Sequence, residues 1–143
     1  MLTVAHVLQA KPEQITYTIS PDATVLEAIS LMADKGIGAL IVTEENKVTG
    51  ILSERDYARK VALMERSSYD TLVCDIMTHK VITVERKQTV EECLQLMTDR
   101  HLRHLPVVEN GQLIGLVSIG DLVKGIIQEQ QTLIEQLQNY ITN

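Results

Sequence analysis

Gly50-Ile-Leu-Ser53-Glu-Arg-Asp56 returns later in the chain as Gly115-Leu-Val-Ser118-Ile-Gly-Asp121. The offset is 65 residues, and it aligns residues 24–56 with residues 89–121 without a gap. Two similar hydrophobic cores explain the matches at apolar positions. A glycine, a serine and an aspartate at one fixed spacing need a local structural reason in each copy, and a duplicated binding site is one such reason.

The order of predicted elements is the same in both halves: a short helical lead-in, then β-α-β-β-α. The lead-in helices fall at residues 4–8 and 73–77, which correspond at an offset of 69. A longer helix begins after Thr24 and after Thr89, because apolar residues recur there at helical spacing. Asn110-Gly111 is a strong hairpin signal. The strands are predicted at residues 17–19, 39–42 and 48–52, and at residues 81–84, 105–108 and 113–117.

The sequence therefore predicts an α+β fold built from two β-α-β-β-α repeats and a C-terminal helix. Residues 1–69 make the first repeat with its lead-in helix, residues 70–128 the second repeat, and residues 129–143 a helical extension. The extension continues the last helix of the second repeat, since its apolar residues form one stripe. We expect that stripe to pack on its own domain or on a second subunit. Its residues are Ile127, Ile134, Leu137 and Ile141.

Composition limits the classes of partner. The net charge is −6, whereas nucleic-acid binding normally needs a concentrated basic face. Phe and Trp are absent, which leaves four tyrosines for base stacking. The start of the chain lacks a secretory signal, and no apolar run approaches the roughly 20 residues of a membrane span. We expect a cytoplasmic protein that contacts neither nucleic acid nor membrane.

Ser53 and Ser118 stand where a strand becomes a helix. Such a junction directs backbone N–H groups and the positive end of the helix dipole toward one place, which suits a phosphate. Asp56 and Asp121 follow three residues later, and a carboxylate with two acceptor oxygens suits the diol of a ribose. The same spacing is that of a capping box, in which both side chains only satisfy the helix itself. From the residues alone, both roles stay open.

The chain resembles a tandem pair of CBS domains, the module named after cystathionine β-synthase. The resemblance covers nearly all of residues 1–128 and includes Arg103-His-Leu-Pro-Val107 in the second half. The matching segments are residues 19–25, 35–42, 48–53 and 53–57 in the first half, and residues 84–90, 100–108, 113–118 and 118–122 in the second.

The resemblance implies two repeats packed sheet to sheet about a pseudo-two-fold axis, with two clefts that bind adenosyl compounds. AMP, ADP, ATP, NAD and S-adenosylmethionine belong to this class. It implies a stand-alone regulatory sensor, a homodimer that acts on a separate partner protein, rather than an enzyme. The implied contacts are, for ribose, Asp56 and Asp121; for phosphate, Ser53, Ser118, Arg55 and Arg103; and for adenine, Ile19, Ile37, Ala39, Val84, Leu102 and His104.

The alternative is an interaction or oligomerisation scaffold with non-functional clefts, which docks its partner through the amphipathic tail. A metal site is not expected, because the histidines and cysteines lack zinc-ligand spacing. No phosphate loop, dinucleotide motif or nucleophile elbow supports catalysis.

The two halves differ beside the serine and aspartate. The second half has His101-Leu-Arg103 where the first has Gly36-Ile-Gly38. Because Arg103 adds a cation there, we expect Ser118 and Asp121 to form the better anion site.

Overall fold

A computed structural model describes residues 1–12 and 14–142 of the chain. The helices are α1 (Val4–Ala10), α2 (Val25–Lys35), α3 (Glu54–Tyr57), α4 (Val73–Ile76), α5 (Val90–Arg100) and α6 (Ile119–Thr142), and a π-helical turn at Ala58–Ala62 continues α3. The strands are β1 (Thr18–Ile19), β2 (Ala39–Glu44), β3 (Lys47–Ser53), β4 (His104–Glu109) and β5 (Gln112–Ser118). The predicted α+β fold of two repeats and a C-terminal helix is confirmed.

The strands form two small sheets. In the first, β1 is parallel to β2, and β2 is antiparallel to β3; in the second, β4 pairs with β5. Both hairpin turns hold two consecutive residues at positive φ, and Asn110 and Gly111 have φ of 51° and 78°. These are the dihedral signs of a tight two-residue hairpin. The hairpin predicted from the Asn-Gly signal is therefore confirmed.

The strand predicted at residues 81–84 is wrong except at Val84. Val84 makes an isolated parallel bridge to Val107, whereas its first-half counterpart Ile19 belongs to a two-residue strand paired with β2. The reason is Pro106, which accepts a hydrogen bond from Val84 but has no N–H to donate to the ladder. A run of β-branched residues therefore does not form a strand where the neighbouring strand lacks a backbone N–H that the ladder needs.

The long helices begin and end at equivalent positions in both repeats. Thr24 and Thr89 are the N-caps, and each accepts a hydrogen bond from the backbone three residues on. The C-caps are both left-handed, with Gly36 at φ 65° and His101 at φ 56°. His101 therefore holds a backbone conformation that is easier for glycine.

The chain forms two compact units. The first-repeat unit contains residues 16–82 with 110–113, and the second-repeat unit contains residues 1–15, 83–109 and 114–143. Helix α1, predicted with the first repeat, thus lies in the second-repeat unit, and α4 lies in the first-repeat unit. The lead-in helices are exchanged relative to their order in the sequence. The predicted limits of the sequence repeats, at residues 69 and 128, stay a prediction.

Close packing explains the repeated glycine. A Cβ at Gly115 would lie 2.8 Å from Cδ2 of Leu8, and a Cβ at Gly50 would overlap the side chain of Met77. Leu8 and Met77 correspond at the offset of 69. In each unit, a side chain from the lead-in helix region therefore lies directly against the backbone of β3 or β5, where only glycine fits.

Each unit buries its own apolar core. The first-repeat unit packs the inner faces of α2 and α4 against β2 and β3; its core includes Val25, Ala28, Met32, Leu40, Val42, Leu52, Val61, Val73, Ile76 and Met77. The second-repeat unit buries the equivalent positions; they include Val90, Cys93, Met97, Leu105, Val107, Val117 and Leu122. Within the described residues, no helix has the length and apolarity needed to cross a membrane.

Candidate functional site

The first corner is the junction of β3 and α3, from Ser53 to Asp56. The Ser53 backbone N–H donates to Oδ2 of Asp56 at 2.9 Å, and the Ser53 hydroxyl donates to the same oxygen at 3.1 Å. The Asp56 backbone N–H donates in return to Oγ of Ser53 at 3.1 Å. This is a complete capping box.

The second corner is the junction of β5 and α6, from Ser118 to Asp121. The Ser118 N–H donates to Oδ2 of Asp121 at 2.9 Å, and the Asp121 N–H donates to Oγ of Ser118 at 3.0 Å. In both corners the first amide of the helix donates to the carbonyl of the residue just before the first strand of the hairpin: Gly38 before β2, or Arg103 before β4. The capping interpretation is confirmed at both corners, and the ligand interpretation stays a prediction.

Both corner serines turn their hydroxyl toward the aspartate of their own corner. The Ser53 hydroxyl donates to Oδ2 of Asp56 at 3.1 Å. A side-chain hydrogen bond from Ser118 likewise contributes to the lowered pKa of Asp121. The two corners therefore share the same arrangement of serine and aspartate.

The aspartate of each corner forms an ion pair with a lysine. Neither lysine was predicted from the sequence as a site residue. Lys60 Nζ is 3.5 Å from Oδ1 of Asp56 and donates to the carbonyl of Ile76 at 2.8 Å. Lys11 Nζ is 3.1 Å from Oδ2 of Asp121 and donates to the carbonyl of Leu116 at 2.9 Å. Lys60 follows Asp56 by one helical turn, which is a signal the sequence carries. Lys11 is 110 residues from Asp121, so only the exchanged position of α1 brings it there.

The second corner also contains a half-buried histidine beside the carboxylate. Burial lowers the pKa of His104, although the charge of Asp121 acts to raise it; Arg103 and Lys11 lower it further. Burial acts to raise the pKa of Asp121, but the hydrogen bond from Ser118 and the contact with Lys11 outweigh it and the pKa is lowered. At neutral pH the corner thus holds an ionised aspartate and a neutral histidine, with Lys11 beside the aspartate.

The residues predicted to line the two ligand sites divide by unit. Ile19, Ile37, Ala39, Ser53, Arg55 and Asp56 lie in the first-repeat unit, and Val84, Leu102, Arg103, His104, Ser118 and Asp121 lie in the second. Ala39 and Val84 are buried, so their side chains belong to the core and only their backbones could meet adenine. Arg55 and Arg103 are exposed. Their roles as ligand contacts stay predictions.

His101 and Cys93 have structural explanations. The described residues contain no cluster of three His, Cys, Asp or Glu side chains that could hold a metal ion. His101 is exposed and caps α5. Both cysteines, Cys74 and Cys93, are free. Burial is the main cause that raises the pKa of Cys93, to about 11, which is the property of an inert core thiol.

Comparison with known proteins now identifies the family. The CBS domain profile matches residues 4–63 and 73–128, which are most of the chain. The chain belongs to the CBS domain family. The mitochondrial CBS domain-containing protein CBSX3 of Arabidopsis thaliana is 38% identical to it, over 97% of this chain and 71% of the relative.

Solved CBS structures have the same fold. A Burkholderia ambifaria protein with CBS domains, described as acting in signal transduction, superposes with a TM-score of 0.85 at 55% identity, over 90% of this chain and 96% of the other. CBSX2 in complex with AMP superposes with a TM-score of 0.76 at 26% identity, over 91% of this chain and 99% of the other. Tandem CBS repeats with regulatory relatives are thus established for this chain.

Proposed function

We propose that this protein is a regulatory CBS-pair module that binds an adenosyl ligand at its two corners and acts on a separate protein. The ligand class is AMP, ADP, ATP, NAD or a similar compound, and the module works as a cytoplasmic homodimer without catalysis of its own. The observation that carries the proposal is the duplicated corner, in which a serine hydroxyl, a carboxylate and a lysine meet at a helix start. The AMP complex of CBSX2 supports the ligand class.

The second corner has the chemistry to bind a nucleotide without losing its cap. Oδ2 of Asp121 accepts from the Ser118 amide and lies 3.1 Å from Nζ of Lys11. Oδ1, the other carboxylate oxygen, would accept from the hydroxyls of a ribose. A phosphate beside the same helix start would accept from the Ser118 hydroxyl in place of Asp121 and gain the positive charge of Lys11 and Arg103.

The first corner is a weaker version of the same site. In it Lys60 lies on Oδ1 of Asp56, whereas Lys11 at the second corner lies on Oδ2 of Asp121, the oxygen that already accepts from the Ser118 amide. A ribose at the first corner would have to displace Lys60 from Oδ1. We therefore expect the second corner to bind an adenosyl ligand more tightly than the first.

A melting screen tests whether the module binds any adenosyl ligand. AMP, ADP, ATP, NAD and S-adenosylmethionine are added at a hundredfold excess over Kd, where binding stabilises the fold by about 2.7 kcal/mol. An external dye or calorimetry reports the melting, because the chain has no Trp. If no compound raises Tm, the sensor proposal is wrong.

Titration calorimetry on paired variants tests the assignment to the corners. We expect Asp121→Asn to weaken the tighter binding event by about tenfold or more, and Asp56→Asn to leave that event nearly unchanged, since one lost charge-assisted hydrogen bond is worth about 1.5–3 kcal/mol. The Tm of each variant without ligand shows that it is folded. Equal losses in both variants would contradict the ranking of the corners.

One observation favours the scaffold alternative. Helix α6 exposes apolar side chains along most of its length; they include Val123, Ile127, Leu133, Ile134, Leu137, Tyr140 and Ile141. A scaffold with non-functional clefts would show no thermal shift with any adenine nucleotide but would still associate through this helix.

A further inference from the structure

The second half of α6 extends away from the core of its own unit. Leu122 is buried and Ile126 is half-buried, but from Ile127 to Thr142 every side chain is exposed. Ile134 and Leu137 keep 53% and 55% of their surface accessible. Several large apolar side chains on one helix are thus left uncovered by the described part of this chain, which marks an interaction surface.

The exposed residues follow a coiled-coil spacing. Successive members are separated by four and three residues in alternation, which is the a/d pattern of a heptad repeat. We call this set the seam. Its members are Val123, Ile127, Gln130, Ile134, Leu137 and Ile141, and all six are exposed. At a rise of 1.5 Å per residue the seam is about 27 Å long.

We propose that the seam pairs, parallel and in register, with the seam of a second copy of this chain. The proposal gives a surface and an orientation to the proposed homodimer, and it does not depend on nucleotide binding. In this arrangement Ile127, Ile134 and Ile141 occupy a positions. Isoleucine at a with Leu137 at d is the combination that favours two parallel strands.

The charge pattern permits self-association. After Lys124 the helix carries Glu129 and Glu135 as its charged residues. Both fall at b or c positions, on the side of the helix away from the seam. Lys124 occupies the first e position, and the later e and g positions, where charges of two paired helices meet, are occupied by glutamine or by apolar residues. Two copies therefore meet without like-charge repulsion.

Gln130 gives the pairing a defined register. A glutamine amide carries both a donor and an acceptor, so two Gln130 side chains can hydrogen-bond to each other across a symmetric seam. An apolar partner helix would leave this amide buried and unsatisfied, which is costly. An antiparallel pair centred on the seam would place Gln130 opposite Ile134, so the amide also favours the parallel arrangement.

A membrane surface fits this helix poorly. Helices that lie on anionic lipid carry lysine and arginine on their polar face. Here the polar face beyond Lys124 has glutamate, glutamine, asparagine and threonine.

The size of the seam sets the expected strength of the pairing. A stable protein interface buries about 800 Å² on each partner, and two helices in contact over 27 Å bury less than this. We therefore expect association that depends on concentration across roughly the micromolar range.

Sedimentation of the full chain tests the proposal with matched variants. Ile134→Asp with Ile141→Asp adds two charges to the seam, seven residues apart. Thr132→Asp with Asn139→Asp adds two charges at the same separation on the opposite side of the helix. We expect the seam variant to raise the dissociation constant at least tenfold and the control variant to change it by less than threefold.

Two results would overturn the proposal. One is a seam variant that sediments like the wild type at every concentration. The other is a wild type that binds vesicles of anionic lipid together with a seam variant that loses this binding without any change in self-association, since this would assign the seam to a membrane. Nucleotide-dependent melting of the seam variant is measured in parallel. A seam failure with normal nucleotide shifts leaves the sensor proposal intact, and the reverse result leaves the seam intact.

Disulfide trapping tests the orientation. Ile127→Cys is made in a Cys74→Ser background, because the other natural cysteine, Cys93, is buried. A parallel, in-register pair brings residue 127 of one copy next to residue 127 of the other. An antiparallel pair places these two residues far apart. We expect rapid formation of a covalent dimer on mild oxidation, with little from the matched Thr132→Cys variant. Equal yields from the two variants would contradict the parallel arrangement.

Discussion

The two corners have the same serine and aspartate in the same capping geometry, but they obtain their cation from different parts of the chain. In the first corner Lys60 comes from the turn that follows Asp56 on the same helix. In the second corner Lys11 comes from the segment after α1. The residue that corresponds to Lys60 in the second half is Gly125, so that corner has no local lysine to use.

The two lysines also differ in how exposed they are and in how closely they approach the aspartate. Lys60 is 44% exposed at its side chain and sits 3.5 Å from its partner, whereas Lys11 is 30% exposed and sits at 3.1 Å. A closer and less exposed pair is screened less by water. The two repeats therefore share the geometry of the cap, whereas the charged group beside each cap comes from a different part of the chain.

The largest expected effect tests whether the two units are built alike. Gly50→Val and Gly115→Val should each reduce the free energy of unfolding by about 2 kcal/mol, because the added side chain overlaps Met77 or Leu8. The control is Gly38→Val, where an added Cβ meets nothing within 4 Å. Urea unfolding measures the three variants. If both test variants unfold at the same urea concentration as the control, the close-packing explanation of the repeated glycine is wrong.

The lysine substitutions sharpen the comparison of the corners directly. Lys11→Met should lower the free energy of unfolding by about 1 kcal/mol, since it loses an ion pair and a hydrogen bond to the carbonyl of Leu116. Lys60→Met also loses a hydrogen bond, to the carbonyl of Ile76, but it should lower the free energy of unfolding by less than Lys11→Met, because its ion pair is longer and more exposed. Methionine keeps the apolar stem in both cases. A larger loss for Lys60→Met in chemical denaturation would reverse our ranking.

The helix C-caps allow a test with opposite signs. His101→Gly should stabilise the fold by about 0.5–1 kcal/mol, since glycine adopts the left-handed conformation without steric cost. Gly36→His should destabilise it by a similar amount, and an added Cβ there meets no atom within 4 Å, so the effect comes from the backbone alone. Thermal melting of both variants measures the two changes, and shifts of the same sign would refute the assignment.

The smallest effect is the pH dependence from His104. Its pKa in the folded chain is lowered from about 6.5, so the stability it contributes is present above that pH and is lost as the pH falls through the folded pKa. The stability that Asp121 contributes is present above about pH 3.8 and is lost only as the pH falls below that value, so it does not affect the range of His104. His104→Gln should therefore flatten the fall of Tm between about pH 7 and pH 5. An unchanged slope would show that His104 is not the group responsible.

The sequence predicted whatever depends on local contacts. The starts of the long helices after Thr24 and Thr89, the hairpin at Asn110 and the starts of α1 and α4 follow from residues a few positions apart. The strand at residues 81–84 was wrong because strand pairing depends on a distant residue, Pro106. The repeated glycine was recognised from the sequence, but its reason was not, since Leu8 and Met77 meet it only in the folded units.

The candidate site shows the same division. The serine and aspartate of each corner, and their capping geometry, were predicted from a three-residue spacing. The ion pair of Lys60 was open to the same reasoning, because it spans one helical turn. Lys11 carried no local signal. Its counterpart at the offset of 69 is Lys80, which is exposed and makes no ion pair with a described residue, so even the repeat does not reveal the contact.

The exchange of the lead-in helices has a consequence for synthesis on the ribosome. Nearly all of the first-repeat unit has been translated once residue 82 emerges from the exit tunnel, so it can fold early. Helix α1 emerges before both repeats, yet the backbone against which Leu8 packs is at Gly115 in β5. Helix α1 must therefore wait until β5 has been synthesised before it can pack, and its apolar face stays exposed until then.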